Sequence, residues 1–291
     1  MQVIATAPPY AEYLDEVAAH PLVTAFRLNT VMPVKGGPEE ALSRFSRFEL
    51  PIWVDLKARQ LRTVEAAIPP FTTVRISHAI QVDTPVDAFF NDGVEHARVV
   101  DVDGDRLILA DSPRRVVGPG ESINIPHPSL SIDGYLTESD RAYLQAIKTS
   151  GWKHVMLSYV ESPKDIQAVK HILPDAILGL KIESRKGLAF AREHGSAHGQ
   201  LIAARGDLYI EAGPPHEMIP ALKTIIQADP DAIVASRILN SLAYHPVPNS
   251  ADIHDIAFLQ SLGFDQLMLG DALCLQRDTL IEALNVLQAM A

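Results

Sequence analysis

Only one cysteine, Cys274, occurs in 291 residues, so no internal disulfide can form. No apolar run approaches the roughly 18 to 20 residues of a bilayer-spanning helix. The start, MQVIATAPPY, carries neither a basic segment nor a long apolar stretch. Together these absences predict a soluble protein of a reducing, cytoplasmic compartment with no membrane partner. Basic residues are outnumbered: 25 Lys plus Arg against 36 Asp plus Glu give a formal net charge of −11, which repels a phosphate backbone and argues against nucleic acid as a partner. Internal repeats and low-complexity segments are missing, and 47% hydrophobic with 21% charged residues excludes disordered, collagen-like and coiled-coil chains. The eleven histidines show no H-E-x-x-H or comparable ligand spacing. No phosphate-cradling glycine pattern is present either, so Gly104, Gly118 and Gly120 read as turn glycines.

What the chain does have is a rhythm. Short apolar runs at residues 3–6, 23–26, 52–54, 155–157, 177–180, 201–204, 233–235 and 267–269 alternate with stretches of helical spacing. Eight such runs predict an α/β fold, a (β/α)₈ TIM barrel of parallel strands covered by helices such as 140–150, 163–173 and 276–290. Between Leu61 and Leu130 the rhythm gives way to short β runs and turns, Asp103-Gly104 among them. This predicts a small all-β domain, 62–130, inserted after the third strand, with the barrel formed by 1–61 and 131–291.

Active sites of such barrels sit at the C-terminal strand ends. There the fifth run continues Lys181-Ile182-Glu183, whose first and last side chains share a face by the period of two. The sixth continues Ala204-Arg205-Gly206-Asp207. Carboxylates from neighbouring strand tips can grip a hard divalent cation. The same spacing also fits a structural Lys181–Glu183 ion pair in the barrel mouth, and spacing alone leaves both readings open. Cys274 reads as a buried structural thiol, Tyr159 as either a pocket or a core residue, and His254 as a surface residue.

Several motifs fall in one order along the chain: Arg27-Leu28-Asn29, Val54-Asp55-Leu56-Lys57, Leu61-Arg62-Thr63, Leu136-Thr137-Glu138-Ser139-Asp140, Ser158-Tyr159-Val160, Lys181-Ile182-Glu183, Ala204-Arg205-Gly206-Asp207-Leu208, Ala235-Ser236-Arg237 and Met268-Leu269-Gly270. In this order the chain resembles the pyruvate kinases over nearly its whole length. The resemblance implies that Glu183 and Asp207 bind Mg²⁺ or Mn²⁺ and that Lys181 stabilises an enolate oxygen. It implies further that Ala204, Arg205, Gly206 and Asp207 open a short helix whose N–H groups hold the substrate carboxylate. Ser236 stands at the position of proton delivery, Arg27 near a transferred phosphoryl group, and Lys57 and Arg62 among the substrate contacts.

The chain departs from the family on the nucleotide side. Asn29 and Asp55 remain from a monovalent cation site, but Val31 replaces a serine, so little K⁺ dependence is expected. After Asp55 only Lys57 survives of the family's next five residues, and Glu121 stands near where lysines meet nucleotide phosphates. The family's C-terminal regulatory domain is expected to be absent. The leading expectation is a pyruvate-kinase-like, metal-dependent enzyme that stabilises the enolate of pyruvate or a related 2-oxo acid, as a C–C bond lyase or aldolase, a decarboxylase or a catalyst of C3 proton exchange. The alternatives are phosphotransfer between phosphoenolpyruvate and ADP, and a non-catalytic metabolite sensor. The expected partner is a small 2-oxo acid or enol phosphate, with a homo-oligomer as the further expectation.

Overall fold

The structure, a computed structural model, describes all 291 residues. Eight strands, Gln2–Thr6, Val23–Asn29, Ile52–Leu56, His154–Leu157, Ile177–Ile182, Gln200–Ala204, Ile233–Ala235 and Gln266–Leu269, pair in parallel and close into a barrel, the last against the first. All eight expected runs are strands, seven of them extended by one to three residues and 233–235 unchanged. Their runs are unbroken because both faces are buried. One face, with Val3, Phe26, Val54, Leu157, Leu180 and Leu269, packs under the helices. The alternate residues Ile4, Trp53, Met156, Ile202, Ile233 and Met268 form a separate cluster that fills the lumen. Gly179 belongs to that inner face, and a Cβ there would lie 2.8 Å from Ile202 and 3.3 Å from the Trp53 ring. The Ile202 side chain therefore occupies space that a glycine leaves, with the indole packed close beside it.

Following the inward-facing positions towards the C-terminal ends locates the site. Ile4 is followed by Thr6, Ala25 by Arg27 and Asn29, Trp53 by Asp55 and Lys57, Met156 by Ser158, and Gly179 by Lys181 and Glu183. The same period of two that builds an apolar lumen at one end gathers the charges at the other.

Between the third and fourth barrel strands the chain forms a five-stranded antiparallel sheet, in the order Thr73–Arg75, Arg106–Leu109, Glu95–Asp103, Val86–Phe90, Ile123–Asn124. Gly104, at φ 59°, makes the tight turn between the strands Glu95–Asp103 and Arg106–Leu109. The sheet has its own apolar cluster, including Val74, Phe90, Val99, Leu107 and Ile123. That cluster takes in Leu61, and Ser131–Ile132 pairs with Ile80–Gln81, so the insert's contacts run slightly past 62 and 130 on both sides. The expected helices 140–150, 163–173 and 276–290 are present as Glu138–Ser150, Pro163–Lys170 and Arg277–Met290, and no helix is long and apolar enough to cross a membrane. A helix at Arg185–His194 was not expected. Thr137 caps the helix Glu138–Ser150 in a capping box with Asp140.

Candidate active site

Asp55, fully buried at the end of the third barrel strand, organises the floor of the site. Its carboxylate accepts from Arg27 through Nε (2.9 Å) and Nη2, from Lys57 Nζ (3.1 Å), and from Lys181 Nζ (3.4 Å). Burial alone would raise this carboxyl, but the ammonium groups of Lys181 and Lys57 and the Arg27 guanidinium hold it well below the usual carboxylate range. Burial pushes Lys57 down to about 7 even though Asp55 opposes the shift, with Lys181, Arg62 and Arg27 adding to it. Burial also works against the Lys181 ammonium, yet Asp55 and Glu183 outweigh it and its pKa is raised.

Lys181 Nζ lies 3.1 Å from Glu183 Oε1 and donates to Ser158 Oγ at 2.9 Å. Ser158 in turn donates to the Leu56 carbonyl, and Glu183 Oε2 accepts from the Tyr159 backbone N–H at 2.7 Å. The end of the third strand is held by the helix cap: Asp140, besides capping, accepts from the backbone N–H groups of Lys57 (2.9 Å) and Ala58 (3.0 Å). A helix N-terminus thereby fixes the backbone from which Lys57 projects.

Asp207 sits in the first turn of the short helix Arg205–Glu211. Its Oδ2 accepts from Gln60 Nε2 at 2.7 Å, and its Oδ1 from Asn124 Nδ2 at 2.9 Å and the Tyr159 hydroxyl at 3.2 Å. Asn124 belongs to the insert and also donates to Tyr159 Oη and Glu211 Oε1. Burial raises Glu211 to about 8 and Glu183 to about 7; Asp207 adds to both shifts, Lys181 opposes that of Glu183, and Asn124 opposes that of Glu211.

Above this floor lies a cavity of about 460 Å³, bounded by the barrel ends on one side and by Asn91, Asp92 and Pro119–Ser122 of the insert on the other. Arg27, Asn29, Lys57, Arg62, Lys181, Glu183, Ala204, Gly206, Asp207 and Ser236, all singled out from sequence, line it. Two others do not. The Arg205 guanidinium turns away to the Ser236 carbonyl (3.0 Å) and Asp255 (2.8 Å), and of its segment Ala204, Gly206 and Asp207 form the wall. Asp55 lies beneath the wall, neutralised by three organic cations. Asn29 is its register neighbour, but its amide donates to Asp271 at 2.6 Å and its Oδ1 accepts from Val31 N, so the two side chains share no open coordination space.

Asp271, Gln60 and Asn124 were not anticipated. Asp271, which also accepts from Arg27 at 2.8 Å, lies two residues past the eighth strand, and the strand-end rule applied to the other strands would have found it. Cys274 is buried and its thiol pushed up to about 12 by burial, as suits an inert structural side chain. Tyr159, with φ 50°, is buried and does not line this cavity; its hydroxyl donates to Asp207 from beneath the wall.

Glu183 and Asp207 fit a divalent cation in part. Glu183 Oε1 is buried and, apart from its charge contact with Lys181, lacks a hydrogen-bond partner, which is the state of an oxygen with a coordination position to fill. Asp207 carries only neutral donors, and a cation could take their place. No three His, Cys, Asp or Glu side chains converge. Any ion held here is therefore completed by water or substrate oxygens, as Mg²⁺ commonly is.

A closed parallel barrel with a buried lysine and carboxylates gathered at its C-terminal strand ends defines a (β/α)₈ fold with its polar cluster where barrels of this class carry their sites. Residues 55–273 match the family model for the pyruvate kinase barrel domain. The chain belongs to the pyruvate kinase family. It is 25% identical over 277 residues to a pyruvate kinase of Borreliella burgdorferi, covering 85% of this chain and 58% of that protein. Over 222 residues it is 28% identical to that of Methanocaldococcus jannaschii, covering 72% and 48%. Over 178 residues it is 30% identical to that of Thermotoga maritima, covering 58% and 37%. The chain thus spans about half the length of the curated relatives it matches.

Proposed function

We propose that this chain is a divalent-metal-dependent enzyme that stabilises the enolate of pyruvate or a related 2-oxo acid, with residues 62–130 as a lid over the site. The observation that carries the reading is the Lys181 ammonium, buried yet aimed at the cavity between Asp55, Ser158 and Glu183. Its raised pKa keeps it charged, so it offers a fixed positive group where negative charge develops on an oxygen. The N–H groups that open the helix at Arg205 orient the substrate carboxylate. Ser236, on the wall, presents a hydroxyl for moving a proton at C3. Mg²⁺ or Mn²⁺ bound by Glu183 and Asp207 would polarise the 2-oxo group as a Lewis acid. K⁺ has little part in this reading, because Asp55 is already surrounded by Arg27, Lys57 and Lys181.

The nucleotide side supports the non-kinase form. There is no lysine anywhere between Lys57 and Lys148, and the lid brings Asp92 and Glu121 to the cavity. Glu121, its carboxyl pKa lowered by the bonds it accepts from Arg115, adds a carboxylate and no free cation to the lid side of the cavity. The relatives' shared activity favours a second reading, phosphotransfer between phosphoenolpyruvate and ADP. Thermal melting with Mg²⁺ separates the two: oxalate, an enolate mimic, should raise the melting temperature and ADP should not. A shift with ADP would support phosphotransfer, and no shift with oxalate would defeat the enolate reading.

The metal assignment is tested without turnover. Glu183→Gln removes the charge on the orphaned oxygen and should weaken Mn²⁺ binding, followed by electron paramagnetic resonance titration, while circular dichroism stays that of the parent. Equal Mn²⁺ affinity in both proteins would remove Glu183 from the ligand set.

A further inference from the structure

We infer that Arg237 forms a second anion subsite in the cavity, so that the substrate is a 2-oxo acid with a further carboxylate at its far end. The inference rests on the enolate reading and adds the substrate class. Most cations of the site are already matched to anions: Arg27 to Asp55 and Asp271, Lys57 to Asp55, Lys181 to Asp55 and Glu183. Arg62 bonds the neutral oxygens of Gln60 and Gly120. Arg237 also lines the cavity, half-buried, and makes no ion pair. Its Nη2 donates to the Asp92 carbonyl at 3.3 Å, and no protein oxygen accepts from its Nε or Nη1.

This guanidinium is nevertheless held in place. Its carbon lies 4.4 Å from the centroid of the Tyr209 ring, a cation–π contact that fixes the plane of the group. Ser236 and Arg237 have φ of 68° and 58°, a left-handed pair that residues with a Cβ seldom adopt. Such backbone persists where surrounding structure demands a side-chain direction, and here it sets the Ser236 and Arg237 side chains on one cavity wall. A fixed planar donor with two free positions suits bidentate recognition of a carboxylate. The cavity, about 460 Å³, has room beyond a three-carbon acid. Asp92, the nearby carboxylate, feels the Arg237 charge without pairing with it, so the positive group remains available to a ligand.

Calorimetric titrations with Mg²⁺ present compare oxalate, pyruvate, oxaloacetate, 2-oxoglutarate and phosphoenolpyruvate on the parent and on Arg237→Gln. The parent should bind at least one diacid about tenfold or more tighter than pyruvate. Arg237→Gln should lose about 10- to 100-fold for that diacid, the range for a hydrogen-bonded charge pair, with pyruvate and oxalate nearly unchanged. Tyr209→Leu, which keeps the charge but frees the guanidinium, should lose less, in the same order of ligands. Equal affinities for pyruvate and the diacids in the parent would overturn the subsite, as would a uniform loss across all ligands in Arg237→Gln. A loss confined to phosphoenolpyruvate would overturn the carboxylate assignment. Oxalate binding without a preference for diacids defeats this inference alone, whereas no binding of oxalate or pyruvate by the parent defeats the enolate reading and this inference with it.

Discussion

Lys181→Met is expected to slow the exchange of pyruvate C3 protons into deuterated water by about 10²- to 10³-fold, the usual cost of removing one fixed donor from a developing oxyanion. The barrel should stay folded. Asp55 keeps Arg27 and Lys57, and Glu183, which loses its one paired cation, is already at about 7 through burial and can take up a proton. Exchange followed by proton NMR with Mg²⁺, beside a urea unfolding curve, separates catalysis from structure. If Lys181 is only one half of an ion pair, the unfolding midpoint falls and the exchange rate of the folded fraction does not. A sensor without chemistry would show no exchange above the metal-only background in the parent itself.

Asp55→Asn should show the opposite pattern, a loss of stability of about 3–5 kcal/mol, because it strips the common anion from buried cations and leaves them uncompensated. Urea unfolding at neutral pH reads this directly. The pH dependence carries a second signature. A carboxyl depressed in the folded state adds stability that is fully present above its unfolded pKa of about 3.9 and is lost as the pH falls through the folded value. The parent's urea midpoint should therefore drop as the pH is lowered below about 4, and the variant's should change less over that interval. A variant as stable as the parent would mean that Arg27, Lys57 and Lys181 find other partners or water, and that Asp55 does not organise the floor.

The barrel was legible because burial on both strand faces writes itself into the sequence as unbroken apolar runs. The site was legible for a related reason: Arg27, Lys57, Lys181 and Glu183 continue the inward-facing positions of those runs, where charge is conspicuous. The helix Arg185–His194 escaped because its apolar face is short and interrupted by Gly187. The structure gives the reason for that glycine: a Cβ there would lie 3.1 Å from the Val160 carbonyl. The partners of Asp207 were beyond reach for another reason. Gln60 and Asn124 lie far from it in sequence, the first brought near by barrel closure and the second by the path of the insert back over the barrel. Local spacing carries no trace of such a contact. Arg237 illustrates the same limit, since its meaning depends on Tyr209 beneath it and on the carboxylates that do not reach it.

The insert also bears on how the chain finds its fold. Met156 pairs with Asp55, so the third and fourth barrel strands must meet across nearly a hundred residues. In a disordered chain that closure is a slow step, because non-local contacts form late and each doubling of the intervening length adds about 0.6 kcal/mol of entropy cost. Here the intervening segment has its own apolar cluster, and its two ends are joined where Ile123 N–H donates to the Leu61 carbonyl at 2.9 Å. Once the small sheet has formed, the effective separation shrinks to the short stretches on either side of it. The rate at which the barrel closes is then governed by the insert, so a substitution in that small sheet, far from any barrel strand, should slow refolding of the whole molecule.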